Sequence, residues 1–189
     1  MNAKMKINLV GILLILLVLV VGYLASSSQK LVMTYISGFG FLALISMAVT
    51  LAIPTIAAFK KGDFTESLLS NRGTVAGYSF LFALIHVVLV ANFFFNWNLG
   101  KMLENPYRTL GAIALLAVAL LVSFPRISVA LAEKYKWLLP YLGYAAVALV
   151  LIHSIAIGAI FMKNDIIKVA VVLVAGLLII LGMIYKRRG

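Results

Sequence analysis

Residues 75–95 read VAGYSFLFALIHVVLVANFFF, a run of 21 residues with one histidine and no formally charged side chain. A helix needs about 20 mostly apolar residues to cross a lipid bilayer. Comparable runs recur along the chain, and short polar stretches separate them. The predicted spans are residues 7–25, 31–59, 75–95, 109–124, 137–161 and 166–185. The sequence therefore predicts an all-α integral membrane protein, a bundle of six transmembrane helices in a cell membrane.

The composition excludes a water-soluble fold. Of the 189 residues, 65% are hydrophobic and 11% are charged, and the mean hydropathy is +1.15. Soluble domains are about 45–50% apolar and about 25% charged. No polar stretch is long enough to fold by itself, so residues 1–189 are interpreted as one transmembrane domain. The chain has no cysteine, which excludes disulfides, iron–sulfur clusters, thiol catalysis and cysteine-bound zinc.

The basic residues indicate the orientation of the spans. The formal net charge is +11, and the six spans place eleven Lys and Arg residues on one side and five on the other. Because cytoplasmic loops carry an excess of Lys and Arg, both termini are predicted to be cytoplasmic. This orientation accounts for the positive charge, so no nucleic-acid partner is expected. The first apolar run exceeds the core of a signal peptide (about 7–15 residues), so it is predicted to remain as a transmembrane helix.

Two histidines, His86 and His153, lie inside predicted spans, where ionisable side chains are costly and often functional. His86 precedes Trp97 by eleven residues and His153 precedes Lys163 by ten. At 1.5 Å per residue, both imidazoles lie about 15–16 Å from the same outer boundary, on parallel spans. Two imidazoles at one depth suit the axial positions of a haem iron. The alternative is that both hydrogen-bond to neighbouring helices and serve packing alone; zinc is disfavoured, because it needs at least three protein ligands.

Three segments carry a resemblance to a known family. They are residues 72–86 (RGTVAGYSFLFALIH), 105–111 (NPYRTLG) and 138–153 (LLPYLGYAAVALVLIH). In this order and spacing they resemble the ferric reductase-like transmembrane domain family. In particular, these segments resemble the short branch of that family, the haem-binding membrane subunits of periplasmic methionine sulfoxide reductase systems (MsrQ-like subunits). The haem-binding core would be about residues 72–161.

The resemblance implies an electron-transfer membrane subunit of an oxidoreductase. His86 and His153 would be the axial ligands of a b-type haem. The family often has another histidine thirteen residues before the second ligand, and Pro140 stands there in this chain. We therefore expect one haem per chain and no two-haem relay. A cytoplasmic flavin reductase or the quinone pool would supply electrons, and an outer-side reductase or a ferric chelate would accept them.

Cationic side chains near the outer boundary are candidates for binding the haem propionates. They are Lys101, Arg108 and Lys163, of which arginine forms the stronger charge-assisted contact. The alternative is that these residues only cap helix ends. No residue is predicted to be catalytic, since the redox chemistry belongs to the cofactor.

A quinone or flavin could bridge the cytoplasmic half of the membrane, between the inner halves of the third and fifth spans. The nearby aromatic residues are Tyr78, Trp137, Tyr141 and Tyr144. Alternatively, these rings fill the space that a second haem would occupy. Two rival functions remain: a small transporter or channel, and a structural membrane subunit without redox activity.

Overall fold

The computed structural model describes residues 2–25, 28–127, 133–135, 137–157 and 164–188. These residues form helices joined by short turns, and within these ranges there is no strand. The helices are α1 (Ala3–Ala25), α2 (Ser28–Phe59), α3 (Asp63–Ser70), α4 (Arg72–Phe94), α5 (Leu99–Leu103), α6 (Pro106–Ile127), α7 (Leu139–Ile157) and α8 (Asp165–Arg188).

Four helices, α1, α2, α4 and α6, are long and apolar enough to cross a membrane. Two shorter apolar segments lie in α7 (Tyr141–Ile157) and α8 (Lys168–Leu178). The all-helical class and the membrane environment predicted from the sequence are therefore confirmed. The six spans and the orientation of the termini stay predictions.

Local hydrogen bonds explain where α6 begins, three residues before its predicted start. Asn105 caps the helix, because its side-chain oxygen accepts a hydrogen bond from the Tyr107 amide at 2.9 Å. Pro106 takes the first helical position, where a missing amide hydrogen is harmless. The carbonyl of Tyr107 is thereby placed in the first turn of α6.

Four helices, α2, α4, α6 and α7, form a ring around the core of the bundle. In this ring α2 packs along α4, α4 along α6, α6 along α7, and α7 along α2. Among the described residues, α4 and α7 do not pack along each other, so they lie diagonally opposite. Helices α1 and α8 lie outside the ring, against α2. Side chains on α4 and α7 that point to the axis therefore meet at the centre of the bundle.

Small and branched residues fill the interior of the ring of helices. This is expected in a membrane, because lipid is as apolar as the side chains and helices associate through close packing. Ala117 and Val118 of α6 and Ala146 and Val147 of α7 are buried in one cluster with residues of α2 and α8. By contrast, α1 is lipid-facing for most of its length; its Leu17, for example, is 57% exposed.

Two glycines of α1 leave space for tyrosine side chains from α2 and α4. A methyl group at Gly11 would collide with the ring of Tyr78, whose hydroxyl donates to the carbonyl of Asn8 at 3.2 Å. A methyl group at Gly22 would collide with Tyr35, whose hydroxyl donates to the carbonyl of Leu19 at 3.2 Å. In both places the missing side chain lets a ring reach a helix carbonyl.

The lack of cysteine makes the predicted topology directly testable. We expect Lys101→Cys and Asp165→Cys to react with a membrane-impermeant maleimide on intact cells, because both positions are exposed and predicted to be outside. Lys61→Cys should react only after permeabilisation, and the unsubstituted chain serves as the blank. A bundle in which α7 and α8 do not cross would leave Asp165→Cys unlabelled on intact cells while Lys101→Cys still reacts.

Candidate functional site

The two histidines meet at the centre of the ring. The ring centroids of His86 on α4 and His153 on α7 are 6.4 Å apart, and the ring planes are nearly perpendicular at 88°. Both residues are partly buried. The sequence predicted that the two imidazoles lie at the same level, and the structure places them next to each other. They can meet because α4 and α7 lie diagonally opposite in the ring of helices.

Each imidazole is held by a backbone carbonyl of the neighbouring helix. His86 Nδ1 lies 2.8 Å from the carbonyl oxygen of Ile36 on α2, and His153 Nδ1 lies 2.7 Å from that of Tyr107 on α6. A carbonyl oxygen can only accept, so in a neutral imidazole Nδ1 carries the proton and donates it. Each Nε2 then keeps its lone pair, which is the form in which histidine binds a metal.

Glycines make both carbonyls accessible. Gly40 and Gly111 stand four residues after Ile36 and Tyr107, where the helix places them beside those carbonyl oxygens. A Cβ at Gly40 would lie 2.9 Å from His86 Nδ1, and one at Gly111 would lie 2.7 Å from His153 Nδ1. Any larger residue would therefore push the imidazole off its carbonyl.

The spacing of the rings fits two axial ligands on one metal ion. Two metal–nitrogen bonds of about 2.0–2.1 Å separate the coordinating nitrogens by about 4 Å. An imidazole with ring bonds of about 1.33 Å has each atom about 1.1 Å from its centroid, so two such rings on one metal have centroids about 6.3 Å apart. The observed 6.4 Å agrees with this value. Perpendicular planes are compatible with it, because each ring can rotate about its own metal–nitrogen bond.

A bare metal ion would find too few ligands at this place. In the part of the chain that the structure describes, no group of three or more His, Asp or Glu side chains could hold a metal. Zinc sites require at least three protein ligands. Two imidazoles alone suit a metal whose remaining ligands come from a macrocycle, as in haem.

Space for a macrocycle is limited beside the rings. One turn from the histidines, towards Arg72, a cavity of about 20 Å³ is lined by small and branched residues that include Ala43, Ala83 and Val150. The two imidazoles are therefore at a suitable spacing, whereas the side chains around them would have to move apart to admit a porphyrin.

Two of the three predicted propionate partners, Arg108 and Lys101, lie at the start of α6 and just before it. Arg108 Nη1 donates to the carbonyl of Lys101 at 2.8 Å, and the guanidinium lies 4.8 Å from the centroid of the Phe95 ring. Lys101 is exposed on α5. Lys163 lies outside the described residues. Arg108 thus follows directly after Tyr107, which holds His153, but its guanidinium is engaged with its own loop.

The four aromatic residues predicted beside a quinone or flavin are dispersed. Tyr78 packs on α1, Trp137 and Tyr141 are 58% and 45% exposed, and Tyr144 packs against the core cluster. None of them lines the larger cavity of the bundle, which is described below. A quinone or flavin site beside these rings stays a prediction.

Sequence reasoning missed the residues that position the imidazoles. Nothing in the sequence distinguishes Gly40 and Gly111 from glycines that only permit close helix packing, or shows which carbonyls they expose. The available signal was a glycine in each of two spans that turn out to neighbour the histidine spans. Using that signal requires knowing which helices are adjacent.

Comparison with known proteins does not assign a function to the site. No protein-family model matches the chain, and no curated protein matches it significantly.

The glycines beside the histidines should be intolerant of a methyl group. We expect Gly40→Ala and Gly111→Ala each to lower the free energy of unfolding by about 1–3 kcal/mol, because the new Cβ displaces a packed, hydrogen-bonded ring. Gly77→Ala on α4 is the matched control: a Cβ there meets nothing within 4 Å, and alanine gains up to about 1 kcal/mol in a helix. Thermal unfolding in detergent measures the difference, and unchanged or raised stability of Gly40→Ala would contradict the contact.

Proposed function

We propose that this protein is a b-type haem membrane cytochrome that transfers electrons within or across the membrane. One observation carries the proposal: two imidazoles lie at a centroid distance of 6.4 Å, and each is fixed through Nδ1 so that Nε2 remains free. When bound, haem would supply one-electron redox chemistry, and the protein would supply its ligation, orientation and surroundings.

The residues around the imidazoles perform the tasks that axial ligands require. The carbonyls of Ile36 and Tyr107 select the tautomer and fix the ring orientation, which is the usual role of hydrogen-bond partners behind ligating histidines. Gly40 and Gly111 let both carbonyls be reached. Because each Nδ1 donates to its carbonyl, each Nε2 keeps the lone pair through which an imidazole binds a metal.

The wider setting of this function follows the resemblance to the ferric reductase-like family. Six spans with both termini in the cytoplasm would place the histidine pair nearer the outer face. With Pro140 in place of a further histidine, the chain would hold one haem. Arg108, Lys101 and Lys163 would lie towards its propionates. A cytoplasmic flavin reductase or the quinone pool would be the donor, and an outer-side reductase or a ferric chelate the acceptor.

A structural role is the second candidate, and a specific observation favours it. Both histidines already donate hydrogen bonds to helices next to their own, so they join α4 to α2 and α7 to α6 without any cofactor. In that case the 6.4 Å approach of the two rings would be a packing contact. An absorption spectrum separates the two functions.

We expect the protein purified with haem to show a reduced-minus-oxidised spectrum of a low-spin b-type cytochrome, with about one haem per chain in a pyridine haemochrome assay. Two histidines can fill both axial positions of only one iron, which sets this stoichiometry. Absence of bound haem after expression with adequate haem supply would favour the structural role. Two haems per chain would show that a ligand other than histidine takes part.

The histidines themselves provide the second measurement. We expect His86→Ala and His153→Ala each to lose most of the haem absorbance, because one axial bond disappears. Asn92→Ala on α4 is the matched control, since it removes an exposed polar side chain from the same helix and should retain full haem. Low-spin spectra of full intensity from both histidine variants would exclude them as ligands.

A further inference from the structure

A larger cavity lies inside the ring, between the histidines and the end of the bundle that carries Arg72. It has a volume of about 390 Å³, within the range of about 300–1,000 Å³ that is typical of ligand pockets. Residues of α2, α4, α6 and α7 line it, most of them apolar. It shares Met47, Ser79 and Val118 with the small cavity beside the histidines, so the two follow one line through the bundle. We call it the Arg72 cavity.

A proline positions the arginine. Pro54 lies inside α2 and has no amide hydrogen, so the carbonyl of Thr50, four residues earlier, lacks its helical partner. Arg72 Nε, at the start of α4, donates to that carbonyl at 2.9 Å. The bond fixes the guanidinium at the cavity wall. It also leaves the two terminal nitrogens, Nη1 and Nη2, without a hydrogen bond among the described residues.

The other polar side chains of the lining are already satisfied. The Thr50 hydroxyl donates to the carbonyl of Ser46 at 2.7 Å, and the Ser79 hydroxyl donates to the carbonyl of Ala43 at 3.0 Å. No carboxylate from the described ranges forms an ion pair with Arg72. The cavity therefore offers one fixed positive charge with free donors at one end, and apolar walls elsewhere.

From this arrangement we infer that the Arg72 cavity binds an acidic amphiphile, a carboxylate or phosphate head group on an apolar chain. A partly buried, unpaired guanidinium is stabilised by an anion, and its planar fork matches a carboxylate or phosphate through two hydrogen bonds. The chain would run from Arg72 along the apolar walls towards Ser79, seven residues or about 10 Å farther along α4. A fatty acid and an anionic membrane lipid share this chemistry.

A neutral quinol fits the cavity less well. Its oxidation releases protons, which a nearby base must accept. Among the residues that the structure describes, the cavity lining contains no Asp, Glu or His. The fixed positive charge instead distinguishes an acid from a neutral ligand of similar shape. The inference is independent of haem, because none of its residues is a proposed haem ligand.

The test uses the full chain in nanodiscs of zwitterionic lipid and a photoreactive fatty acid with a diazirine on its chain. We expect saturable crosslinking to peptides of α4 and α6, at an apparent affinity about tenfold or more above that of its methyl ester, since the ester lacks the charge that Arg72 binds. Arg72→Gln should lower the affinity for the acid to that of the ester. Lys61→Gln, at an exposed lysine in the turn before α3, should have no effect.

A second variant keeps the charge of Arg72 and reduces the volume of the Arg72 cavity. Gly73 is an exposed residue of the cavity lining, and a Cβ there meets nothing within 4 Å, so Gly73→Leu adds bulk to the lining without a clash. We expect it to weaken crosslinking of the acid while the circular dichroism spectrum stays unchanged. This variant decides the matter if Arg72→Gln fails to fold.

Competitors identify the source of the head group. Competition by phosphatidylglycerol would assign the site to a membrane lipid, and competition by unlabelled fatty acid alone would assign it to a free acid. Equal crosslinking of acid and ester, competition by a short-chain ubiquinone as strong as that by the acid, or crosslinks outside the lining helices would each overturn the inference. Haem content does not enter these measurements, so their outcome is separate from that of the proposed cytochrome function.

Discussion

The structure depends on access to helix carbonyls that already have a helical partner. In an apolar environment a polar ring needs a hydrogen bond, and the second lone pair of a helix carbonyl is an available acceptor. A side chain four residues later normally covers that oxygen. Gly40 and Gly111 leave it open, and His86 and His153 use the opening. Tyr35 and Tyr78 likewise reach carbonyls of α1 beside a glycine, which here stands three residues after the carbonyl. Glycines thus admit polar rings both at the outer helix and at the centre of the bundle.

A proline makes a carbonyl available by a different route. Gly40 and Gly111 uncover carbonyls that keep their helical bonds, whereas Pro54 removes the bond itself and leaves the Thr50 carbonyl to Arg72. The glycines thus bring neutral rings into the core, and the proline brings a charged group to its edge. Both solutions give a polar side chain a carbonyl acceptor within the bundle. The two chemically distinct regions of the interior follow from this difference.

The relative level of the two histidines along the bundle could be predicted from the sequence, whereas the direction of a side chain around its helix could not. Counting residues to Trp97 and Lys163 placed the two imidazoles at one level, and the structure brings them together. Apolar runs likewise located the long helices. The sequence placed Tyr78 on the third span, but it did not show that the ring packs against Gly11 on α1. Which face a residue presents depends on the neighbours of its helix, and short apolar periodicities in a membrane protein carry little of that information, because lipid and protein interior are both apolar.

The diagonal placement of α4 and α7 has a consequence for assembly. The histidine hydrogen bonds divide the ring into two hairpin-like halves, α2 with α4 and α6 with α7, each of which closes through contacts between segments near in sequence. The histidine hydrogen bonds span 50 and 46 residues, fewer than separate His86 from His153, so each half can close at a lower entropic cost than the whole ring of helices. The imidazole pair lies where the halves join. A ligand held by both imidazoles could bind only after the two halves have docked in register.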